Sequence, residues 1–566
     1  MNLIILAGIL GVFIWFACHG LSRSKQIELF LCFQMVMILI GWIGFNNFYL
    51  IPILRAALLV LAIKLVRKVS WSRVKILSLL STVISFSLLG WLINTQIRIL
   101  FFIIALGYDN SSHLAFLYRT WVSGKFEYGL GGTEGYLVPY SNLFNAYPSL
   151  QMETWATIVK MAGLNIGSTG ELVGSFVLLL FATIIMLALA ICSFIRVPNL
   201  RNRILTSISV IIFLIGGTFS AVIWAGFPPT IWGILVSIFV FRYFLLDIVS
   251  TNRRLLFVCL GLVVILYSYQ IFFFPFLILP LILLLRDRKE IKLGRYGTNL
   301  IVIIFLISLA SVFLFQTLKI KNYTFALGGI LFPSPNLFFG LLILLTFLVF
   351  SSNISKKQLV NESLLFCSVL LFAGALIAYG RVSDRGAYYP IKVLYLGLAL
   401  MLCFIIHLVS TGTQGTSFKL DTSKIGSIAL IIILSIDLVQ GQSYKFAFGG
   451  PSSNILREWK LVQSGDFSPL GNKCLDQVFQ NANKSIHFGY KDKKYLNYVP
   501  GTGWPIDLLS RWSNSLEGRI DDLVLELTIP MGSNKVQSEV VREFKVKHPD
   551  VVVRPINLSK GIECSY

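Results

Sequence analysis

Charge is what this chain has least of. Only 13% of its 566 residues are charged, about half the share of a soluble domain. That excludes an ordinary water-soluble enzyme or binding module. Acidic residues are scarcer still, 26 against 48 Lys and Arg. No CxxC and no His/Cys cluster points to zinc or haem. There is no P-loop and no G-x-G-x-x-G after a strand, and Gly131–Gly135 is too generic to stand in for either. A soluble nucleotide or nucleotide-sugar site is therefore not expected. Internal repeats and low-complexity segments are missing as well. The first apolar run lacks a basic n-region and an A-x-A-like site, so no cleavable signal peptide is expected.

What is present is apolar. Hydrophobic residues make up 56% of the chain, aromatics 14%, and the mean hydropathy is +0.78. Lipid is the solvent such a composition suits. A spanning helix needs about 20 mostly apolar residues, and about fourteen runs qualify. They lie near 2–19, 27–45, 48–66, 76–95, 173–195, 204–223, 229–249, 255–270, 271–286, 298–317, 336–353, 359–379, 390–410 and 425–441. The pair 255–286 is the weakest, two short runs with Tyr267–Gln270 at the turn. The expected fold is an all-α polytopic membrane protein.

The net charge of +22 does not read as a nucleic-acid footprint. Basic residues cluster at Arg23/Lys25, Lys64–Lys75, Arg196/Arg201/Arg203, Arg253/Arg254, Arg286–Arg295, Lys356/Lys357 and Lys419/Lys424. These are alternate loops, and placing all of them in the cytoplasm satisfies the positive-inside rule. Both termini then lie outside, with a long loop over 96–172, the Gly226-Phe227-Pro228-Pro229 loop, and shorter loops near 318–335 and 380–392. The chain thus divides into a membrane domain, 1–441, and an extracytoplasmic tail, 442–566. In the tail, Asp522–Ile529 and Val551–Arg554 alternate like strands and Lys535–Lys547 has helical character, so a small α/β domain is expected. Of the eight cysteines, Cys18, Cys32, Cys192, Cys259, Cys367 and Cys403 read as small core residues. Cys474 and Cys564 lie in the tail, where a disulfide between them is an expectation.

Two places carry candidate chemistry. The long outer loop opens with Gly107-Tyr108-Asp109-Asn110 and reaches His113 four residues after Asp109, which on a helix puts both on one face. An acid at the mouth of a span is costly unless it is used or satisfied; as a plain N-cap, Asp109 would serve the following helix. Later in the same loop come Asn145-Ala146-Tyr147-Pro148, which also suits a rigid turn, and Glu153. The second place is Arg381 through Lys392, with Arg385, Tyr388 and Tyr389 between them. Three cations within it run against the positive-inside bias. Lys392 lies a turn into the next helix, where a cation suits an anion such as the phosphate of a lipid carrier; local pairing of Asp384 with Arg381 or Arg385 is the plainer alternative. In the tail, Trp504, Trp512, Tyr495 and Tyr498 suit either sugar stacking or a small core.

Many spans, the Gly107-Tyr108-Asp109-Asn110 loop with His113, Tyr147-Pro148, the late Tyr388-Tyr389-Pro390-Ile391-Lys392 loop and a C-terminal outer domain together resemble the GT-C superfamily. These are membrane glycosyltransferases that use polyprenyl-phosphate sugars. Among them the chain looks most like actinobacterial cell-envelope arabinofuranosyltransferases and mannosyltransferases. It departs from many members in that about four spans precede the Asp109 loop, and from some in that His113 stands alone where they have an acidic pair or a run of histidines. The resemblance implies a GT-C-like membrane domain in a bacterial plasma membrane, with the active site outside. It implies inverting transfer of a sugar from a polyprenyl-phosphate donor to an envelope glycan, glycolipid or protein acceptor. Asp109 would be the catalytic base; Asn110, His113, Tyr147 and Glu153 would face the acceptor. Arg381, Arg385, Tyr388, Tyr389 and Lys392 would hold the donor phosphate. No convincing metal ligand set is visible, so none is assigned, and a divalent cation stays open. Partners are then the lipid-linked donor, the acceptor and membrane lipid, with no nucleic acid.

Two other classes compete. An O-antigen-type polymerase or ligase also joins lipid-linked glycans, but its large loop usually falls late in the chain, whereas the longest loop here is early. A transporter or lipid flippase would favour two related halves, and none is visible.

Overall fold

Hydrocarbon offers the backbone no hydrogen-bond partner, so an apolar run in lipid must satisfy its own N–H and C=O groups as a helix. A computed structural model describes residues 2–19, 21–43, 50–69, 71–94, 150–163, 169–195, 200–224, 227–246, 248–286, 334–351, 356–382, 388–411 and 422–440. It also describes isolated helical positions at 113, 117, 120–121, 306–307 and 310, and short strands between 486 and 557. Where they are described, the apolar runs are helical.

Four helices open the chain: α1 (Asn2–His19), α2 (Arg23–Ile43), α3 (Leu50–Lys68) and α4 (Arg73–Asn94). Then come α5 (Leu150–Met161), α6 (Thr169–Cys192), α7 (Leu200–Ile211) and the single turn α8 (Ala221–Trp224). Next are α9 (Pro228–Phe244), α10 (Thr251–Tyr269), the short α11 (Phe273–Phe276) and α12 (Ile278–Arg286). The last are α13 (Pro335–Ser351), α14 (Lys356–Val382), α15 (Tyr388–Thr411) and α16 (Thr422–Gln440). Among the described residues, five segments are long and apolar enough to cross a membrane: Arg23–Gly41, Arg73–Ile93, Gly174–Cys192, Thr251–Phe276 and Pro390–Ser410. The chain is a helical membrane protein.

Helices in lipid gain little from the hydrophobic effect and associate through close packing, which small residues permit. A Cβ placed on Gly90 of α4 would meet the Ala7 Cβ and the Leu3 carbonyl oxygen of α1 at 2.8 Å. Gly261 of α10 leaves room in the same way for Val240 of α9. Helices α9 and α15 are buried along nearly their whole length and form the centre. Helices α3 and α4 present Ile53, Leu59, Val74, Leu77 and Ile84 outward, as lipid contact requires.

One ion pair fixes which helix ends lie together. Glu28, near the start of α2, binds Arg253 at the start of α10 (2.5 Å) and accepts a hydrogen bond from Tyr243 at the end of α9 (2.6 Å). The loops bearing Arg23/Lys25 and Arg253/Arg254 therefore share one end of the bundle, as the charge pattern requires of loops on one side.

The structure differs from the sequence reading at several points. The run 204–223 is not one continuous helix. After α7 the chain makes a π-turn, Ile212–Gly216, then a 3-10 turn, Thr218–Ser220, before α8. Gly216 and Gly217 carry no side chain to hold a regular helix, and the freed Thr218 N–H donates to Asp437 of α16 (2.6 Å). The segment 96–172 is more than a loop: its α5 buries nine of twelve residues against the bundle. Cys403 is buried, but Cys32 and Cys367 lie on the outer surface of the bundle, where an apolar solvent accepts a thiol without cost. Cys192 and Cys259 are half-buried, and Cys18 lies outside the described side chains.

In the C-terminal region, β1 (Ile486–Tyr490) pairs antiparallel with β2 (Tyr495–Tyr498) and with β3 (Leu523–Val524). Strand β4 (Glu526–Met531) pairs parallel with β5 (Val552–Asn557). The rest of the expected 442–566 domain, with Cys474, Cys564, Lys535–Lys547, Trp504 and Trp512, lies outside the described residues.

Candidate functional site

A glycine-rich break, a tyrosine turn and the start of a helix converge at the bundle end opposite the Glu28–Arg253 pair. Lys392 sits in the second turn of α15 and is 1% exposed. Its ammonium lies over the Phe227 ring, 3.9 Å from the centroid, and 5.5 Å from that of Tyr269. Each element is set there by local chemistry. Phe227 precedes the Pro228-Pro229 start of α9, whose fixed φ suits a first helical turn. Tyr269 ends α10 in an extended conformation (φ −161°, ψ 91°), which turns the chain so that α12 packs back against α10. Ser368 of α14 holds that turn by donating to the Pro275 carbonyl (3.1 Å). Gly233 makes the close approach of α9 to Tyr269 and Phe272 possible, since a Cβ there would meet the Tyr269 Cβ at 2.5 Å. A cation–π contact of this kind is worth about 2 kcal/mol or more when desolvated.

Behind Lys392 lies a second polar unit. Tyr395, one turn further along α15, donates to the Thr218 carbonyl (3.4 Å), and its ring packs edge-on against Phe219. Thr218 donates its backbone N–H and its hydroxyl to the Asp437 carboxylate. Asp437 thus caps the restarted helix after the Gly216-Gly217 break, an arrangement that satisfies orphan N–H groups and suits the positive helix end. A Cβ on Gly217 would collide with the Asp437 carboxylate. Gly217→Ala is expected to cost about 1–3 kcal/mol and to lower the melting temperature in detergent by several degrees. An unchanged melt would mean that the cap is not formed.

The third unit is α5. Arg55 of α3 donates to the Lys160 and Met161 carbonyls (3.0 Å each), and Gly163 follows with φ +72°. That closes the C-terminal end of α5. Thr154 donates to Gln34 of α2 (3.2 Å), and Trp155 packs edge-on against Phe176 of α6. Glu153 is fully buried, and neither carboxylate oxygen has a hydrogen-bond partner. Burial pushes its carboxyl up to about 8, with the Lys160 charge opposing. Gln151 and Thr157 are likewise buried with their side-chain polar atoms unpaired. Each such group costs about 1–3 kcal/mol.

Of the residues singled out in the sequence, Lys392 is brought against Phe227 and Tyr269, Glu153 is buried on α5, and His113 is a buried helical residue. Arg381 falls in the last turn of α14 and Tyr388 and Tyr389 in the first turn of α15, so the three share one helical hairpin end with Lys392. Their side chains, and Asp109, Asn110, Tyr147 and Arg385, lie outside the described residues. Asp437 was missed. Its signal was an acid within the apolar run Ile431-Ile432-Ile433-Leu434-Ser435-Ile436-Asp437, which in a membrane protein marks a partnered or functional site. Among the described residues no group of three or more His, Cys, Asp and Glu could hold a metal ion. No family model matches the chain, and neither a curated protein nor a solved structure matches it.

Proposed function

We propose that this protein is an integral membrane glycosyltransferase of GT-C type, with about fourteen spans and an extracytoplasmic α/β tail over 442–566, in a bacterial plasma membrane. It takes a sugar from a polyprenyl-phosphate donor and passes it to an envelope glycan, glycolipid or protein, with inversion. Asp109 takes the proton of the acceptor hydroxyl as the oxygen attacks the anomeric carbon. Polyprenyl phosphate leaves as an anion, and Lys392 with Arg381 and Arg385 stabilises the charge it gains. Tyr388 and Tyr389 flank that phosphate, and Asn110, His113, Tyr147 and Glu153 face the acceptor. The observation that carries this reading is the Lys392 ammonium, buried at the bundle end opposite the basic loops and roofed by two aromatic rings. A cation kept so deep and so far from its bias suits an anion arriving in the outer leaflet.

A second reading keeps some ground. The broken stretches at Gly216–Gly217 and Tyr269 are of the kind transporters use at mid-membrane sites. One assay separates the two. Purified protein in detergent is given a panel of synthetic polyprenyl-phosphate sugars and a mixed envelope-glycan acceptor. Transfer of one sugar is expected, with Asp109→Asn at least about 10²-fold slower. Vesicle flux of lipid-linked sugar without any transfer would establish the transporter instead. Joining of lipid-linked oligosaccharides would establish a polymerase or ligase.

A further inference from the structure

The unpaired polar groups of α5 do not stand by themselves. Thr154, between Glu153 and Thr157 on the same helix, is bonded to Gln34 of α2. The Gln34 side-chain nitrogen has no hydrogen-bond partner, and neither has the indole nitrogen of Trp232 on α9. The Trp232 ring lies 6.1 Å from that of Phe30, one turn before Gln34, and α5 packs against both α2 and α9. Gln151, Glu153, Thr157, Gln34 and Trp232 are all buried. Burying five such side chains is expensive, and an apolar residue would serve packing alone better at every one of these positions.

We propose that these residues form a glycosyl-recognition site beside the Lys392 phosphate site, taking the sugar ring of the lipid-linked donor. The inference rests on the glycosyltransferase reading and deepens it, moving Glu153 from the acceptor to the donor sugar. The chemistry offered is two amides, a hydroxyl, an indole N–H and a carboxyl. That set gives and accepts hydrogen bonds without presenting a cation, which fits a ring of hydroxyls better than a phosphate. Burial favours the neutral form of Glu153, which then donates as well as accepts. The indole adds an apolar face of the kind a sugar ring stacks on. Placement agrees. Phe227 contacts Lys392, Gly233 lies against Tyr269, and Trp232 is next to Gly233.

The test uses full-length protein in detergent and two probes, polyprenyl monophosphate and the same lipid phosphate carrying mannose or arabinofuranose. Wild type is expected to bind one glycosylated lipid at least about tenfold tighter than the bare one, because polar groups built to meet hydroxyls are left unpaired without them. The double substitution Gln151→Met, Thr157→Val should abolish that preference and leave binding of the bare lipid unchanged. It should also raise the melting temperature of the ligand-free protein, since unpaired buried polar groups are removed. Equal binding of both lipids by wild type overturns the inference and leaves the phosphate site standing. So does a preserved preference, or a lowered melt, in the double variant. If neither lipid binds, the glycosyltransferase reading falls and this inference falls with it.

Discussion

Lys392→Met is expected to slow sugar transfer by about 10²–10³-fold, the size of effect seen when one preorganised charge-stabilising group is removed. The loss should appear in kcat as well as kcat/KM, because the charge on the phosphate grows as the sugar leaves. Stability should move the other way or not at all. Methionine fills nearly the volume of lysine between the Phe227 and Tyr269 rings, and replacing a buried charge by a well-packed apolar group is often neutral or stabilising. That split distinguishes a working cation from a structural one. A structural lysine, removed, would lower the melt and leave the chemistry of correctly folded protein intact. Lys392→Arg should rescue only in part, since a planar guanidinium does not occupy the place of a compact ammonium held 3.9 Å above one ring. Steady-state transfer rates and detergent melts on the same preparations settle the matter.

Thermal stability should fall as pH rises from about 5 to about 8, and Glu153→Gln should flatten that fall. The Glu153 carboxyl is raised from 4.5 to about 8 by burial. Between those values the folded protein holds a proton there that the unfolded chain has released. The unfolded state binds fewer protons, so stability declines with pH across that window and is level on either side. The slope attributable to this group is at most about 1.4 kcal/mol per pH unit. Glutamine keeps the shape and stays neutral. At pH 5 the two proteins should melt together, and at pH 8.5 the glutamine variant should melt several degrees higher. Identical pH profiles would show that Glu153 is ionised and paired in the folded protein.

The helices were legible because lipid makes the signal simple. A run long enough to span must be apolar and helical, and the sequence-derived boundaries near 2–19, 229–249 and 390–410 fall within a few residues of α1, α9 and α15. Lys392 was legible for the opposite reason: a charge in the wrong place for the orientation rule stands out. The break at Gly216–Gly217 was not, because its cap comes from Asp437, more than two hundred residues later. Phe227 and Tyr269 were visible as a loop and a turn, but nothing local says that both end on one ammonium. Of the α5 cluster only Glu153 stood out in the sequence. Gln151 and Thr157 look like the solvated face of a loop helix until that helix is packed against α2 and α9.

The central claim is that Lys392 holds the phosphate of a lipid-linked sugar, and a structure of the protein with polyprenyl monophosphate bound tests it most directly. The account predicts the phosphate at the α15 start, within hydrogen-bond reach of the Lys392 Nζ, about 2.7–2.9 Å. Its polyprenyl chain would run outward into lipid. Phosphate bound at the opposite end of the bundle, near Arg242 or Arg253, with Lys392 still closed beneath its two rings, would contradict it.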